Sequence, residues 1–548
     1  MMLWRKPPNV AGTSANALFA LLLVASGGCL FGHDTGVING VIAMTSFKDQ
    51  FNPSTSQSSL IVAILSAGTF VGSLVSAPLA DFIGRRKALH IAIGVFCLGV
   101  VFQVCSSDIP MLLGGRFVAG VGVGLISVLV PLYQSEMAPK WIRGTMVCAY
   151  QLFITLGLLA ASVINIITSD IPGPAAYRIP LGLQLVWACV LMMGLLILPE
   201  TPRYLIKRGL DAEAALSLSR LRRLDITHPA LIEELAEIKA NHEYELALGP
   251  DTYKDVFFGS PHLGRRTLTA CGLQMLQQLS GVNFIMYYGT WFFKGAMVDN
   301  PYLISCIMNI VNFISTLPGL VVVESWGRRR LLIVGAIGMS ICQLSVASFT
   351  AATKHLDGSG GSSSTLQNQV LVTFVAIYIF FFAASWGPVV WVVTAEIFPL
   401  KVRAKSMSVS TASNWLLNFG IAYSTPYMVD TGYASLGPLI FFVWGAFCIV
   451  GIFFVYFMVY ETSKISLEQI DEMYERVTVA WKSRDFEPSW SFQQMRDLGY
   501  SDSGIPPEES NELQQTATTQ SETASSGMAP SNGDSKSIPT MGNVDFSY

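Results

Sequence analysis

Along the chain, runs of mostly apolar residues alternate with short polar connections. Each run approaches the ~20 residues that a helix needs to cross a hydrocarbon layer. Twelve such runs begin near Ala17, Ser58, Ala88, Met111, Gly144, Pro180, Thr267, Tyr302, Leu331, Gln369, Ala404 and Leu436. The rhythm breaks once. From about Glu200 to Arg266 the chain is polar, with helical patterns over 212–224 and 231–238. The pattern predicts an all-α membrane protein: twelve transmembrane helices in two six-helix halves, residues 17–199 and 267–460, joined by a cytoplasmic helical linker at 200–266. A cytoplasmic segment at 1–16 precedes the first half, and a cytoplasmic tail at 461–548 follows the second. The tail starts helically, over 466–474, and then becomes rich in Ser, Thr, Pro and Glu. From about residue 502 it carries too little apolar surface to offset the entropy of ordering, and disorder is expected there.

Composition supports the membrane reading. Of 548 residues, 51% are hydrophobic and 13% charged, against about 25% charged in soluble chains. The net charge of −3 is diluted by the apolar spans and decides nothing. No basic patch interleaved with aromatics points to nucleic acid. The nine cysteines form no CxxC pair, so neither a disulfide framework nor a metal site is indicated. Asn52-Pro53-Ser54 is barred as a glycosylation sequon by its proline. The apolar run from Leu18 lacks a cleavage site and reads as a retained helix. No nucleophile–base set or cofactor motif suggests an enzyme.

Three charged signatures recur in the two halves. DFIGRR from Asp81 returns as ESWGRR from Glu324, and EMAPKWIR from Glu136 returns as EIFPLKVR from Glu396. Glu200-Thr201-Pro202-Arg203 returns as Glu461-Thr462-Ser463-Lys464. The offset grows from 243 to 260 and 261, and the glycine–serine run at 358–362, a flexible external loop by composition, takes up the difference. Duplicated halves are the architecture in which two bundles rock about a shared site. Arg85/Arg86/Lys87, Lys140/Arg143, Arg328/Arg329/Arg330 and Lys401/Arg403/Lys405 follow even-numbered helices, whereas the other side holds only Lys48, Arg178, Lys294 and Lys354. Positive loops stay inside, so both termini and every repeated signature are expected in the cytoplasm. Topology alone would account for the bases. The acids that repeat with them point further, to ion-pair networks that hold the cytoplasmic side closed and break when it opens. The candidates are Arg85, Arg86, Glu136, Arg143, Glu200, Arg203, Glu324, Arg328, Arg329, Glu396 and Arg403.

Inside the apolar spans, Asp34 stands out in Gly32-His33-Asp34-Thr35-Gly36. A charge at mid-membrane costs ~2.5–3.5 kcal/mol on insertion scales and so faces a cavity or a partner. Arg116 is the candidate partner. A carboxylate that pairs with arginine when ionised and releases it when protonated can couple proton movement to helix rearrangement. The alternative is a permanent pair holding two helices together. His33, about 100° round the helix from Asp34, reads as a packing or pore-lining residue that could add a second titrating group. In the second half, Gln277, Gln278 and Asn283 precede Tyr287 and Tyr288. These amides either bond other helices or, with Asn312, Trp391, Asn414, Trp415 and Gln151, recognise a polyhydroxylated ligand. Gln278 and Asn283 fall within about 140° of each other round the helix, and amides beside aromatics suit such a ligand.

FGHDTGVING, GRRKAL, GGRFVAGVGVG, PLYQSEMAPKWIRG, PETPRYL, QQLSGVNFIMYYG, ESWGRRRL, WGPVVWVVTAEIFP and SNWLLNF occur in this order between about Leu18 and Met473. Together they resemble the sugar porter family of the major facilitator superfamily, with closest likeness to fungal hexose–proton symporters. The resemblance implies the major facilitator fold, alternating access, and sugar binding by Gln151, Gln277, Gln278, Asn283, Asn312, Trp391 and Asn414. Asp34 with Arg116 would couple the proton; animal facilitators of this family carry an amide where Asp34 stands. Three positions depart from the pattern. His33 replaces an aromatic residue, Phe82 stands where the first loop usually has arginine, and the terminal signature at Tyr460-Glu461-Thr462-Ser463-Lys464 lacks its leading proline. The expected function is a proton-coupled importer of a monosaccharide, a hexose, in the plasma membrane. Its partners would be sugar, proton and lipid bilayer, with no cofactor and no nucleic acid. A non-transporting sugar sensor and an uncoupled facilitator are the alternatives; the short tail opposes the first and Asp34 the second. The amides do not distinguish one sugar from another, and nothing in the chain sets an oligomeric state.

Overall fold

The computed structural model describes residues 15–486 apart from 139–141, 248–251, 260–261, 296–299, 355–362, 400–401, 430–435, 464 and 466. Most of the expected N-terminal segment, the glycine–serine loop, the tail from 487 and the basic residues Lys140, Lys401 and Lys464 lie outside the described residues. Six long helices form the first half: α1 (Ala17–Val41), α2 (Thr55–Ile83), α3 (Arg85–Val104), α4 (Ile109–Met137), α5 (Arg143–Thr168) and α6 (Ala175–Ile197). The second half holds α7 in two pieces (Leu263–Leu279 and Val282–Gly295), α8 (Pro301–Trp326), α9 (Arg328–Ala352), α10 (Gln369–Glu396), α11 (Arg403–Val429) and α12 (Ile440–Met458). Ten are long and apolar enough to cross a membrane by length and composition. The other two are α7, interrupted at Ser280–Gly281, and α11, diluted by Ser, Thr and Asn. No strand occurs among the described residues.

Local chemistry explains the helix ends. Ser54 caps α2 in a reciprocal box with Gln57, and Asp108 caps α4 through the Met111 N–H. Gly84 and Gly327 separate α2 from α3 and α8 from α9 at φ of 95° and 87°, a region that L-residues rarely enter. A Cβ there would also stand 2.5 Å from a Glu200 oxygen and 2.4 Å from a Glu461 oxygen. The glycine of each GRR signature therefore serves both a turn and a close carboxylate.

Within the first half, α4 packs on α2 and α3 while α1 packs on α5. A Cβ at Gly32 would meet the Ile154 carbonyl oxygen at 2.0 Å, so small residues let these backbones touch. That face fixes the rotation of α1. Asp34, two residues on and about 200° round the helix, turns away from α5. Between the halves, α2 lies on α11 and α5 on α8.

α6 starts five residues before the expected position, because Tyr177 packs edge-on against Phe47 and Phe51 at 5.6 Å each. Helices Pro202–Lys207, Asp211–Arg222, Pro229–Ala247 and Asp255–Phe258 follow the first half. Tyr204, Leu205, Ile206 and Ala214 form a small apolar core there with Leu235 and Ile238. After α12, helix Leu467–Arg476 packs Ile470, Met473 and Tyr474 against Tyr460.

Candidate functional site

A small cavity of about 60 Å³ lies between the halves. The first half lines it with Phe31 and Thr35 of α1 and Gln151, Ile154 and Leu158 of α5. The second half contributes Gln277, Gln278, Val282, Asn283 and Met286 of α7, Asn312 of α8, Phe382 and Trp391 of α10, and Asn414, Trp415 and Asn418 of α11. All seven residues expected at a ligand site line this one cavity.

Breaks in two helices create it. Gly281, at φ 85°, interrupts α7, and a Cβ there would run into the Trp444 ring at 2.5 Å. The carbonyl freed at Ser280 accepts from Gln343 Nε2 (2.7 Å) and the Tyr378 hydroxyl (2.9 Å). Across the break Asn283 Nδ2 donates to Gln278 Oε1, so the two amides come together on the cavity side. In α10 a π-helical turn spans Phe382–Trp386, and Gln277 Nε2 donates to the Trp386 and Gly387 carbonyls at 2.9 and 3.1 Å. Such turns recur at functional sites because they expose backbone groups.

The amides form one network. Gln278 Nε2 donates to Asn414 Oδ1 (2.8 Å), while Asn414 Nδ2 donates to Gln274 Oε1 (2.6 Å) and Gln277 Oε1 (3.0 Å). Asn418 Nδ2 donates to Gln278 Oε1 at 3.2 Å. The Asn312 Oδ1 oxygen is buried without a hydrogen-bond partner among the described residues. The tryptophans reach across to the first half: Trp391 meets the Tyr150 ring at 6.0 Å, Trp415 meets Phe31 at 5.0 Å, and Trp415 Nε1 donates to Ser127 Oγ at 3.3 Å. Amides that take and give hydrogen bonds, beside aromatic faces, suit a neutral ligand rich in hydroxyls.

Asp34 and Arg116 are both fully buried, with Arg116 Nη2 3.5 Å from Asp34 Oδ2. Arg116 Nε donates to the Ile61 carbonyl at 2.6 Å. Among the described residues Asp34 Oδ1 and Arg116 Nη1 have no hydrogen-bond partner of normal geometry, and the buried Gln184 amide faces the carboxylate. A long, incomplete pair in a dry setting is poorly compensated, and an open carboxylate oxygen is a place for a proton. His33 is not part of it. Its Nδ1 accepts from Trp187 Nε1 (3.0 Å) and its Nε2 donates to the Pro180 carbonyl (3.2 Å), the arrangement of a neutral imidazole. The ring is held as a structural link between α1 and α6.

At the charged end the repeated signatures assemble alike. Arg85 binds Glu136 through Nε (3.1 Å) and Nη2 (3.0 Å) and lies 3.5 Å from Asp81. Arg328 binds Glu396 through Nε (3.2 Å) and Nη2 (2.9 Å) and Glu324 through Nη1 (2.9 Å). Glu200 accepts the backbone N–H groups of Arg85 and Arg86, and Glu461 those of Arg328 and Arg329, so each carboxylate caps a helix. Burial lifts the Glu200 carboxyl above its ordinary value, while N–H donors from Thr201 and Arg86 oppose the rise. Arg86 clips α3 to the Leu195 and Leu196 carbonyls, as Arg329 clips α9 to Tyr456. Arg143 begins α5, Arg203 lies half-buried in the first linker helix, and Arg403 donates to the Phe398 carbonyl. Glu136 and Glu396 are thus bonded to the GRR arginines. The clusters sit within each half, and the halves meet where α5 begins: a Cβ on Gly144 would stand 2.3 Å from Glu324 Oε1. Phe82 is 76% exposed, and its carbonyl is held by Arg208 and by the Tyr204 hydroxyl of the linker.

Sequence reasoning missed Gln274, Asn418 and Gln184. The first two stand four residues from Gln278 and Asn414, on the same helix faces, and that spacing could have found them.

The family model for "Sugar (and other) transporter" matches residues 20–474. The chain is 67% identical to "Probable glucose transporter rco-3" of Neurospora crassa over 93% of this chain and 88% of that protein. It is 42% identical to "High glucose sensor RGT2" of Saccharomyces cerevisiae over 83% of this chain and 60% of that protein. Among solved structures, the major facilitator proton:xylose symporter XylE bound to 6-bromo-6-deoxy-D-glucose superposes with a TM-score of 0.72 at 26% identity, covering 84% of this chain and 100% of XylE. The twelve helices, the duplicated charged ends and the cavity between the halves are those of a transporter rather than an enzyme, and this chain belongs to the sugar transporter family of the major facilitator superfamily.

Proposed function

We propose that the chain is a proton-coupled hexose importer of the plasma membrane, working by alternating access, with both termini in the cytoplasm. The observation that carries this reading is the placement of the sealed Asp34–Arg116 pair on the helix whose next residue, Thr35, lines the amide cavity. Proton and sugar then act on one element. Gln151, Gln277, Gln278, Asn283, Asn312, Trp391 and Asn414 hold the sugar. Asp34, protonated from outside, releases Arg116, and the halves 17–199 and 267–460 rock about the cavity. The carboxylate gives its proton to the cytoplasm and re-engages Arg116. The charged clusters hold the helix ends of each half and abut at Gly144 on the cytoplasmic side. The identity to a glucose transporter supports a hexose as substrate, and the likeness to a proton symporter supports the coupling.

The test is uptake of radiolabelled sugars in cells lacking their own transporters, with and without a protonophore. Hexose accumulation that the protonophore abolishes is the expected result, and Asp34→Asn should lose accumulation while keeping sugar exchange. Uptake indifferent to the protonophore would replace the reading with an uncoupled facilitator. The similarity to a glucose sensor favours a second reading, a receptor that binds sugar without moving it. Sugar binding with no uptake of any sugar would establish that one instead.

A further inference from the structure

The proton pair lies in the first half and most of the sugar amides in the second, and Asn418 is hydrogen-bonded toward both. Asn418 on α11 is 1% exposed. Its Oδ1 accepts from the Ser66 hydroxyl of α2 at 2.8 Å and from the Tyr287 hydroxyl of α7 at 3.2 Å, while its Nδ2 donates to Gln278 Oε1 at 3.2 Å. Ser66 is itself fully buried. Five residues before it on α2, the Ile61 carbonyl takes the Arg116 Nε hydrogen bond. A continuous physical path therefore runs from Asp34 through Arg116 and one turn of α2 to Ser66, Asn418 and Gln278.

We infer that Asn418 is a positioning residue that transmits the state of the Asp34–Arg116 pair to the sugar site through its hydrogen bond with Ser66. The inference rests on the proposed proton coupling and deepens it. When Arg116 is bound to Asp34, its Nε anchor sets the height of α2. When Asp34 releases it, α2 is free to shift, and Ser66 carries the shift to Asn418. The Gln278 amide then loses or gains its best orientation toward a sugar hydroxyl. Asn418 has two acceptor bonds and one donor bond to satisfy in a dry site, so it cannot follow α2 without disturbing Gln278. The charged and titratable groups around Asp34 leave it as the group that switches. Arg116 faces it from α4. Tyr287 and Tyr288 on α7 sit near the arginine. His33 on α1 is committed to Trp187 and Pro180.

The experiment measures equilibrium sugar affinity of the purified full chain at acidic and alkaline pH, for the wild type, Ser66→Ala, Ser66→Thr and Asn418→Ala. A wild-type change of about fivefold or more is expected, the scale of ordinary coupling between sites. Ser66→Ala should still bind sugar but shrink that change to less than about twofold, and Ser66→Thr should restore it by restoring the hydroxyl. Asn418→Ala, which also takes a partner from Gln278, should shrink the change while weakening binding at both pH values. A wild type with no pH response would sink the proton-coupling reading itself. A responsive wild type with either alanine variant equally responsive would overturn the role of Asn418 alone. An alanine variant that no longer binds sugar at any pH would make the bond a structural brace and overturn it as well.

Discussion

Arg85 in the first half and Arg328 in the second stand at the same place in the same signature. Each follows a glycine of positive φ, binds a carboxylate at the end of the next helix, and is capped by a glutamate from the end of its own bundle. Their strength differs. Arg328 holds Glu396 and Glu324 at 2.9 Å each, whereas Arg85 holds Glu136 at 3.0 Å and Asp81 at 3.5 Å. The helices that open the halves differ far more. α1 is packed through glycines and carries one sealed carboxylate, while α7 is broken and carries amides. Duplication kept what every six-helix bundle needs, a way to tie its charged ends together. It let diverge the polar groups inside the bundles. The looser first-half cluster has a second support: Arg208 and Tyr204 of the linker hold the Phe82 carbonyl, and Arg85 lies over the Tyr204 ring at 5.3 Å.

Four measurements would break or sharpen this comparison. The largest effect is expected from Arg328→Ala, which leaves the buried Glu396 without that charge partner and still bonded to the Thr462 hydroxyl; such losses cost about 3–5 kcal/mol. Thermal unfolding in detergent should show a clearly greater loss than for Arg85→Ala, and equal losses would remove the claimed asymmetry. Gly84→Ala and Gly327→Ala come next, each forcing a side chain into a glycine-only region at a cost of about 1–3 kcal/mol. The two should be alike within error, since the turns and their carboxylates match; a large difference would mean the ends are not copies. Gln278→Ala should then weaken sugar binding by about tenfold, because Asn283, Asn414 and Asn418 all lose a partner. Equilibrium binding at constant pH checks it, with an unchanged affinity excluding the amide network from the site. The smallest effect belongs to Asp81→Asn. Its 3.5 Å contact with Arg85 is partly solvated, so unfolding should move by no more than about 0.5 kcal/mol.

Much of the site was legible in the chain because membrane physics leaves little choice. A carboxylate such as Asp34 or a cluster such as Gln277 and Gln278 cannot be left against lipid, so each had to face something polar. The seven cavity residues followed from that constraint together with the resemblance. The same constraint did not reveal His33's role. Only the approach of α6 supplies Trp187 and the Pro180 carbonyl that occupy both of its nitrogens. Nor could spacing show that Glu136 and Glu396 bind the GRR arginines, because that pairing depends on which helix ends meet.

Apolar run lengths, the placement of lysine and arginine and the repeated signatures determined the helical class, the division into halves and the expected orientation. Hydrophobic length and charge act residue by residue and need no partner to be read. Tertiary structure alone decided the break at Gly281, the open geometry of the Asp34–Arg116 pair and the bond from Ser66 to Asn418. Each depends on distances between helices remote in sequence, and those are set by how small residues let backbones approach and by which buried polar groups find partners.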